Sequence, residues 1–171
     1  MTLKQTDSSR ELVQSDGTEI RFGRDYLQGR ISNEFPLAKH LAISVEAADD
    51  STVVLRAPLG PNANYKGTAF GGSLYSVAVL AGWAWLTRYL AASGVAADVV
   101  IQESTVHYLA PCEGELRARA LPPSPAHMEK LLKMLRRAGR GRVRMRIEVG
   151  QGPAVAASFD GVFAAMSTAT A

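Results

Sequence analysis

The chain has 171 residues and a mass of 18.3 kDa, enough for one ordinary domain with a sizeable core and too little for two. With 47% hydrophobic and 20% charged residues and a mean hydropathy near zero, it is excluded from the disordered, collagenous and fibrous classes. The net charge of +3 is unevenly placed: residues 1–111 hold nine basic and eleven acidic side chains, residues 112–171 ten and five.

In chain order, the first nineteen residues lack an apolar run of signal-peptide length, so neither a secretory signal nor a transit peptide is expected. Residues 1–23 read as a loosely ordered lead-in, and residues 24–168 as one domain. Asp25–Phe35 can form a short helix, ended at Pro36 because the residue before proline is pushed out of the helical region. Residues 41–48 and 51–58 are β-branched and flank Asp49 and Asp50, the pattern of a hairpin. A loop rich in Gly, Pro and Asn follows over Leu59–Ala69. An uncharged helix then runs from Gly71 to about Ala92, with Gly94 as its stop. Strands are expected over 98–110 and 114–121, a short helix over 126–139 behind a Pro-rich loop, and two last strands over 141–150 and 154–166.

From Gly67 to Thr87 there is no charge, and the length suits the roughly 17 to 25 residues of a membrane span. That stretch also holds Thr68, Gly71, Gly72, Ser73, Tyr75, Ser76 and Gly82, and the rest of the chain alternates like half-buried sheet that needs a cover. It therefore reads as a helix buried on all sides, with Tyr75, Leu80, Trp83, Trp85 and Leu86 as core, and no membrane span is expected. The resulting class is α+β: a curved antiparallel sheet wrapped around one long central helix. A single cysteine, Cys112, can form no intramolecular disulfide and offers no metal spacing, which implies a reducing, cytoplasmic compartment and no bound metal.

The stretch Asn64-Tyr65-Lys66-Gly67-Thr68-Ala69-Phe70-Gly71-Gly72-Ser73 lies where loop becomes helix. Helix N-termini carry unpaired N–H groups and partial positive charge, and paired glycines let a ligand approach that backbone. A polarised carbonyl oxygen or an oxyanion suits such a place. The spacing fits neither a phosphate P-loop nor a dinucleotide fingerprint. Taken alone, the stretch is equally a tight turn whose glycines serve helix–sheet packing.

The segments PLAKHLAISVEAADDSTVVLRAPLGPNANYKGTAFGGSLYSVAVLAGWAWL and DVVIQESTVHYLAP resemble the putative thioesterase family named for the YiiD C-terminal domain, within the hotdog superfamily. The likeness extends over about Asp25–Met166. It implies a hotdog fold, a homodimer or dimer of dimers whose sheets join edge to edge, and a site for an acyl thioester of coenzyme A or acyl carrier protein. Many hotdog thioesterases carry N-x-x-G-x-x-H-G-G followed seven residues later by Asp. Here Asn64, Gly67, Gly71 and Gly72 match, while Phe70 stands at the histidine position and Val79 at the aspartate position.

Thioester hydrolysis needs donors for the carbonyl oxygen and a group that orients or deprotonates water. The Gly72 and Ser73 amides are candidates for the first, and Asn64 for positioning; otherwise Asn64 makes a loop-stabilising contact. Strand alternation puts Ile101, Glu103, Thr105, His107 and Leu109 on one face, making Glu103 the candidate base unless that face is solvated. His107 is a substrate contact or a satisfied core or interface histidine. Lys66, Gly67, Thr68, Phe70, Gly71 and Ser76 complete the expected contacts with substrate. Arg142, Arg144 and Arg146 alternate with Val143, Met145 and Ile147, predicting a guanidinium stripe opposite a buried face. That stripe is a solvated surface or binds coenzyme A phosphates or an acidic carrier; without interleaved aromatics, nucleic acid is not expected. The expected activity is hydrolysis of an acyl thioester by bound water, with coenzyme A or phosphopantetheine entering only as part of the substrate and no separate cofactor. The alternative is a non-catalytic acyl-CoA or acyl-carrier binding module. A dehydratase would need a paired histidine and acid, which Phe70 and Val79 do not supply.

Overall fold

The computed structural model describes residues 21–168, so all but the last three residues of the expected lead-in lie outside the described part. Helix α1 (Arg24–Glu34) is followed at once by α2 (Pro36–His40), where Pro36 occupies the first turn. A proline there loses nothing, because the N–H it lacks would have no helical partner. The residue expected to end one helix thus also starts another. Strands β1 (Ser44–Ala48) and β2 (Val53–Ala57) form the expected hairpin. After a short 3-10 turn at Gly60–Asn62 comes α3 (Gly71–Ala92), then β3 (Ala97–Tyr108), β4 (Leu116–Leu121), α4 (Pro125–Ala138), β5 (Arg140–Gln151) and β6 (Ala154–Ser167).

The six strands form one antiparallel sheet in the order β1-β2-β4-β5-β6-β3, with β1 and β3 at its edges. Its inner face wraps α3, which packs against β2, β3, β4, β5 and β6. Trp83, Trp85, Leu80 and Leu86 are buried on that helix, together with Phe159, Phe163, Met145 and Ile147 from the sheet. Close approach is achieved at Gly82, where an added Cβ would lie 2.4 Å from the Phe163 ring. Just past the uncharged run, Arg88 is buried and Nη1 donates to Asp50 in the β1–β2 turn at 2.6 Å. This pairing keeps a buried charge from being stranded and fastens the hairpin tip to the helix. In α4, Met128, Leu131 and Leu135 are buried, while Lys130, Lys133, Arg136 and Arg137 stay exposed. Among the described residues, no helix is long and apolar enough to cross a membrane.

In β5, Val143, Met145 and Ile147 are buried and Arg142, Arg144 and Arg146 exposed, as the alternation predicts. Strand β3 departs from simple alternation. Ile101 pairs with Phe163 but Glu103 pairs with Val162, so Gln102 is the extra residue of a bulge. Because side-chain direction has a period of two, one extra residue reverses every side chain beyond it. Val99 and Ile101 face the core, and beyond the bulge Ser104 and Val106 do so while Glu103, Thr105 and His107 point outward and are exposed. The single face expected for Ile101, Glu103, Thr105 and His107 is therefore corrected.

Candidate active site

The loop entering α3 is held by two asparagines. Asn62 is buried, and its Nδ2 donates to the Leu41 carbonyl at 2.9 Å and the Pro58 carbonyl at 2.8 Å. Its own carbonyl accepts the Phe70 N–H at 2.7 Å, setting the last residue before the helix. Asn64 closes the tip. Its Oδ1 accepts the Lys66 N–H at 2.8 Å, and its Nδ2 donates to Thr68 Oγ1 at 3.0 Å and the Ala69 carbonyl at 3.3 Å. Gly67 follows with φ +77°, a conformation glycine adopts without the Cβ penalty. Asn64, Lys66, Gly67 and Thr68 are therefore assembled as one closed turn. The amide groups of Asn64 are spent on that turn, while Lys66 and Tyr65 project from it with Nζ 5.6 Å from the ring centroid.

Phe70 caps α3 with extended backbone, and its carbonyl accepts the N–H groups of Ser73 at 2.9 Å and Leu74 at 3.1 Å. The Ser73 amide, expected to face a carbonyl oxygen, is thus engaged inside the first turn. The N–H groups of Gly71 and Gly72 have no partner among the described residues. Two rings flank them. A Cβ on Gly72 would fall 2.3 Å from Phe70 Cε1, and one on Gly71 would fall 3.3 Å from Tyr108 Cε1. Glycine is required at Gly72 for the Phe70 ring to lie where it does. Tyr108 Oη donates to the Gly71 carbonyl at 3.1 Å. One turn along the helix, Ser76 Oγ donates to the Gly72 carbonyl at 2.8 Å, and Tyr75 Oη lies 3.1 Å from Ser104 Oγ on β3.

The structure does not bring all expected site residues together. Glu103 is 71% exposed on the outer face, its Oε1 4.0 Å from Arg144 Nη2. His107 shares that face opposite Ser158, and Arg142, Arg144 and Arg146 extend it across β5. A hollow of about 370 Å³ on this side, lined by Glu46, Arg117, Arg119, Glu148 and Val155 among others, also lies across the sheet from the glycine turn. No three His, Cys, Asp or Glu side chains among the described residues gather to hold a metal ion. Cys112 is buried, its Sγ 3.6 Å from the Gly114 carbonyl, and its own carbonyl accepts the Ala69 N–H at 2.7 Å, tying the strand end to the loop. Tyr108 and Ser104 escape a reading of the sequence because their relevance depends on the bulge at Gln102. The break in phase between Val99, Ile101 and Val106 is the signal that could reveal it.

The family model described as "Putative thioesterase (yiiD_Cterm)" matches residues 24–167. A solved protein of unknown function from Chlorobaculum tepidum is 28% identical and superimposes with a TM-score of 0.79, covering 84% of this chain and 93% of that one. A putative thioesterase from Shewanella oneidensis is 24% identical with a TM-score of 0.76, covering 84% of this chain and 96% of that one. With its six-stranded sheet wrapped around α3, the chain has the hotdog fold.

Proposed function

Because the chain belongs to the putative thioesterase family of the YiiD C-terminal domain, we propose that it hydrolyses an acyl thioester of coenzyme A or an acyl carrier protein. The observation that carries this reading is the pair of unpartnered N–H groups at Gly71 and Gly72, at the positive end of a 22-residue helix. Water attacks the thioester carbon, and its oxygen forms the new C–O bond. The carbonyl oxygen gains negative charge, which these two amides stabilise. The C–S bond then breaks, the thiolate takes a proton, and the acyl group leaves as a carboxylate. One well-placed donor of this kind is worth roughly a hundredfold to a thousandfold in turnover.

In this mechanism Asn64 acts on the turn: it shapes the backbone that presents Gly71 and Gly72 and leaves the reacting atoms to others. Phe70 and Tyr108 flank the approach to the amides. The free edge of β3, twelve residues long, supports a homodimer in which two sheets continue edge to edge. Arg142, Arg144 and Arg146, on the outer face, are suited to phosphates or to an acidic carrier surface.

One observation favours the alternative of a non-catalytic binding module. No acidic residue occurs in α3, and Glu103 points away from the helix. Release of free thiol from a panel of acyl-CoA chain lengths and acyl carriers decides between them. The hydrolase reading expects turnover on at least one member; binding with no thiol release from any member would replace it with the module.

A further inference from the structure

Where α3 packs on β3, the two elements meet through hydroxyl groups, at a place where a carboxylate would be the simplest means of holding water. Residues of α3 include no acid, and the acids of β3 lie elsewhere: Asp98 at the start of the strand and Glu103 on the outer face. What β3 turns toward the helix beyond Gln102 is Ser104. Its Oγ meets Tyr75 Oη at 3.1 Å, both groups half-buried. Tyr75 lies one turn beyond Gly71 and Gly72 on α3, and side chains of a helix lean toward its N-terminus. An edge contact with Phe159, at 5.7 Å between centroids, fixes the Tyr75 ring. Four residues beyond Ser104, Tyr108 reaches the Gly71 carbonyl. The Tyr108 hydroxyl thus bonds the first residue of α3, and the Tyr75–Ser104 pair lies one turn farther along the helix.

The bulge makes this arrangement. Without the extra residue, Ser104 would point outward and Glu103 inward; bulges of this kind commonly re-aim a side chain beside a functional site. A serine and a tyrosine bonded to each other use one donor and one acceptor between them, leaving a second hydroxyl hydrogen and further lone pairs for a third oxygen.

Resting on the hydrolase reading, we propose that Tyr75 and Ser104 form a positioning pair that holds the attacking water toward a carbonyl bound at Gly71 and Gly72. The water donates one hydrogen bond to the pair. As its oxygen bonds to the carbonyl carbon, the proton passes through the hydroxyls to solvent, and the departing thiolate is protonated from solvent in turn. No other reactant enters.

The test compares Tyr75→Phe, Ser104→Ala, the double variant and Ser104→Thr with wild type, using the acyl thioester that gives the fastest thiol release. Tyr75→Phe retains the ring and its packing on Phe159; should it nonetheless fail to fold, Ser104→Ala alone carries the comparison. Each single loss of hydroxyl is expected to lower kcat at least tenfold with KM within threefold. Groups acting as one unit make the double variant no worse than about threefold below the poorer single. Ser104→Thr, which restores a hydroxyl, is expected to recover kcat. Single variants with kcat within threefold of wild type, or a rise in KM at unchanged kcat, would overturn the pair while leaving the hydrolase reading intact. A wild type that releases no thiol would overturn both.

Discussion

Removing the Asn62 side chain tests whether this loop is held as described. Asn62 is 1% exposed, and its Nδ2 is a donor to two backbone carbonyls, those of Leu41 and Pro58. In Asn62→Ala both bonds vanish and two carbonyls lose a donor. A net hydrogen bond contributes about 1 kcal/mol, and a buried group left without its partner costs about 1–3 kcal/mol. Against this, Asn62 Oδ1 has no partner among the described residues, so deleting it relieves part of that cost. The balance is a loss of about 2 kcal/mol, which for a chain of this size lowers Tm by about 4–8 °C. Thermal melting followed by circular dichroism measures it, and a Tm within 1 °C of wild type would refute the assignment. Asn62→Asp sharpens the test, since a carboxylate would face two carbonyl oxygens and its folded pKa would be raised. That variant is least penalised below the ordinary aspartate value near 3.9, where it is protonated in both states, and loses stability as pH rises toward the raised folded value.

Gly82→Ala places a methyl 2.4 Å from the fully buried Phe163 ring and 3.1 Å from Ile147 Cδ1. Overpacking costs about 1–3 kcal/mol and exceeds the gain of about 1 kcal/mol from alanine's helix propensity, so the urea midpoint should fall; an unchanged midpoint would contradict the contact. Glu103→Gln should leave kcat within twofold of wild type, because the carboxylate lies across the sheet from the glycine turn; a hundredfold loss in the thiol-release assay would return Glu103 to the water. Reversing Arg142, Arg144 and Arg146 to Glu should weaken coenzyme A or carrier binding at low salt with folding intact, whereas unchanged low-salt affinity in titration calorimetry would leave the stripe a solvated face. The Asp49 carboxyl is pushed up by burial but lowered more by the Ser51 hydroxyl, the Thr52 and Ser51 N–H groups and the Arg88 charge, for a net shift below its ordinary value. A depressed carboxylate stabilises above its unfolded pKa and loses that contribution as pH falls through the folded value. Asp49→Ala should therefore flatten the stability profile below about pH 4; an unaltered profile would refute the Asp49 contacts.

The central helix is legible to its ends because the uncharged run, the paired glycines that open it and Gly94 after it are all local signals. The buried face of β5 is legible for the same reason, since Arg and apolar residues alternate without interruption. Strand β3 is not, because one extra residue at Gln102 leaves the composition unchanged and reverses the meaning of everything after it. The outward turn of Glu103 and the inward turn of Ser104 follow from that single insertion. Asn62 looks like one more loop residue until Leu41, twenty-one positions earlier, is brought beside it by the fold. Tyr75 reads as core from its spacing on the helix, and only the partner on β3 shows that its hydroxyl has a second use. Likewise the capping bond from Ser73 to Phe70 depends on the backbone angles of Phe70, which residue types alone do not dictate.

The central claim is that a thioester carbonyl is held by the Gly71 and Gly72 amides. The most direct test is amide NMR of the protein titrated with a coenzyme A analogue in which a methylene replaces the thioester sulfur, giving a ketone that cannot be hydrolysed. A carbonyl accepting from these groups should move the Gly71 and Gly72 amide protons downfield as the analogue binds, while the Ser73 amide, already bonded to Phe70, moves far less. Saturable binding that leaves both glycine amides unshifted would contradict the account.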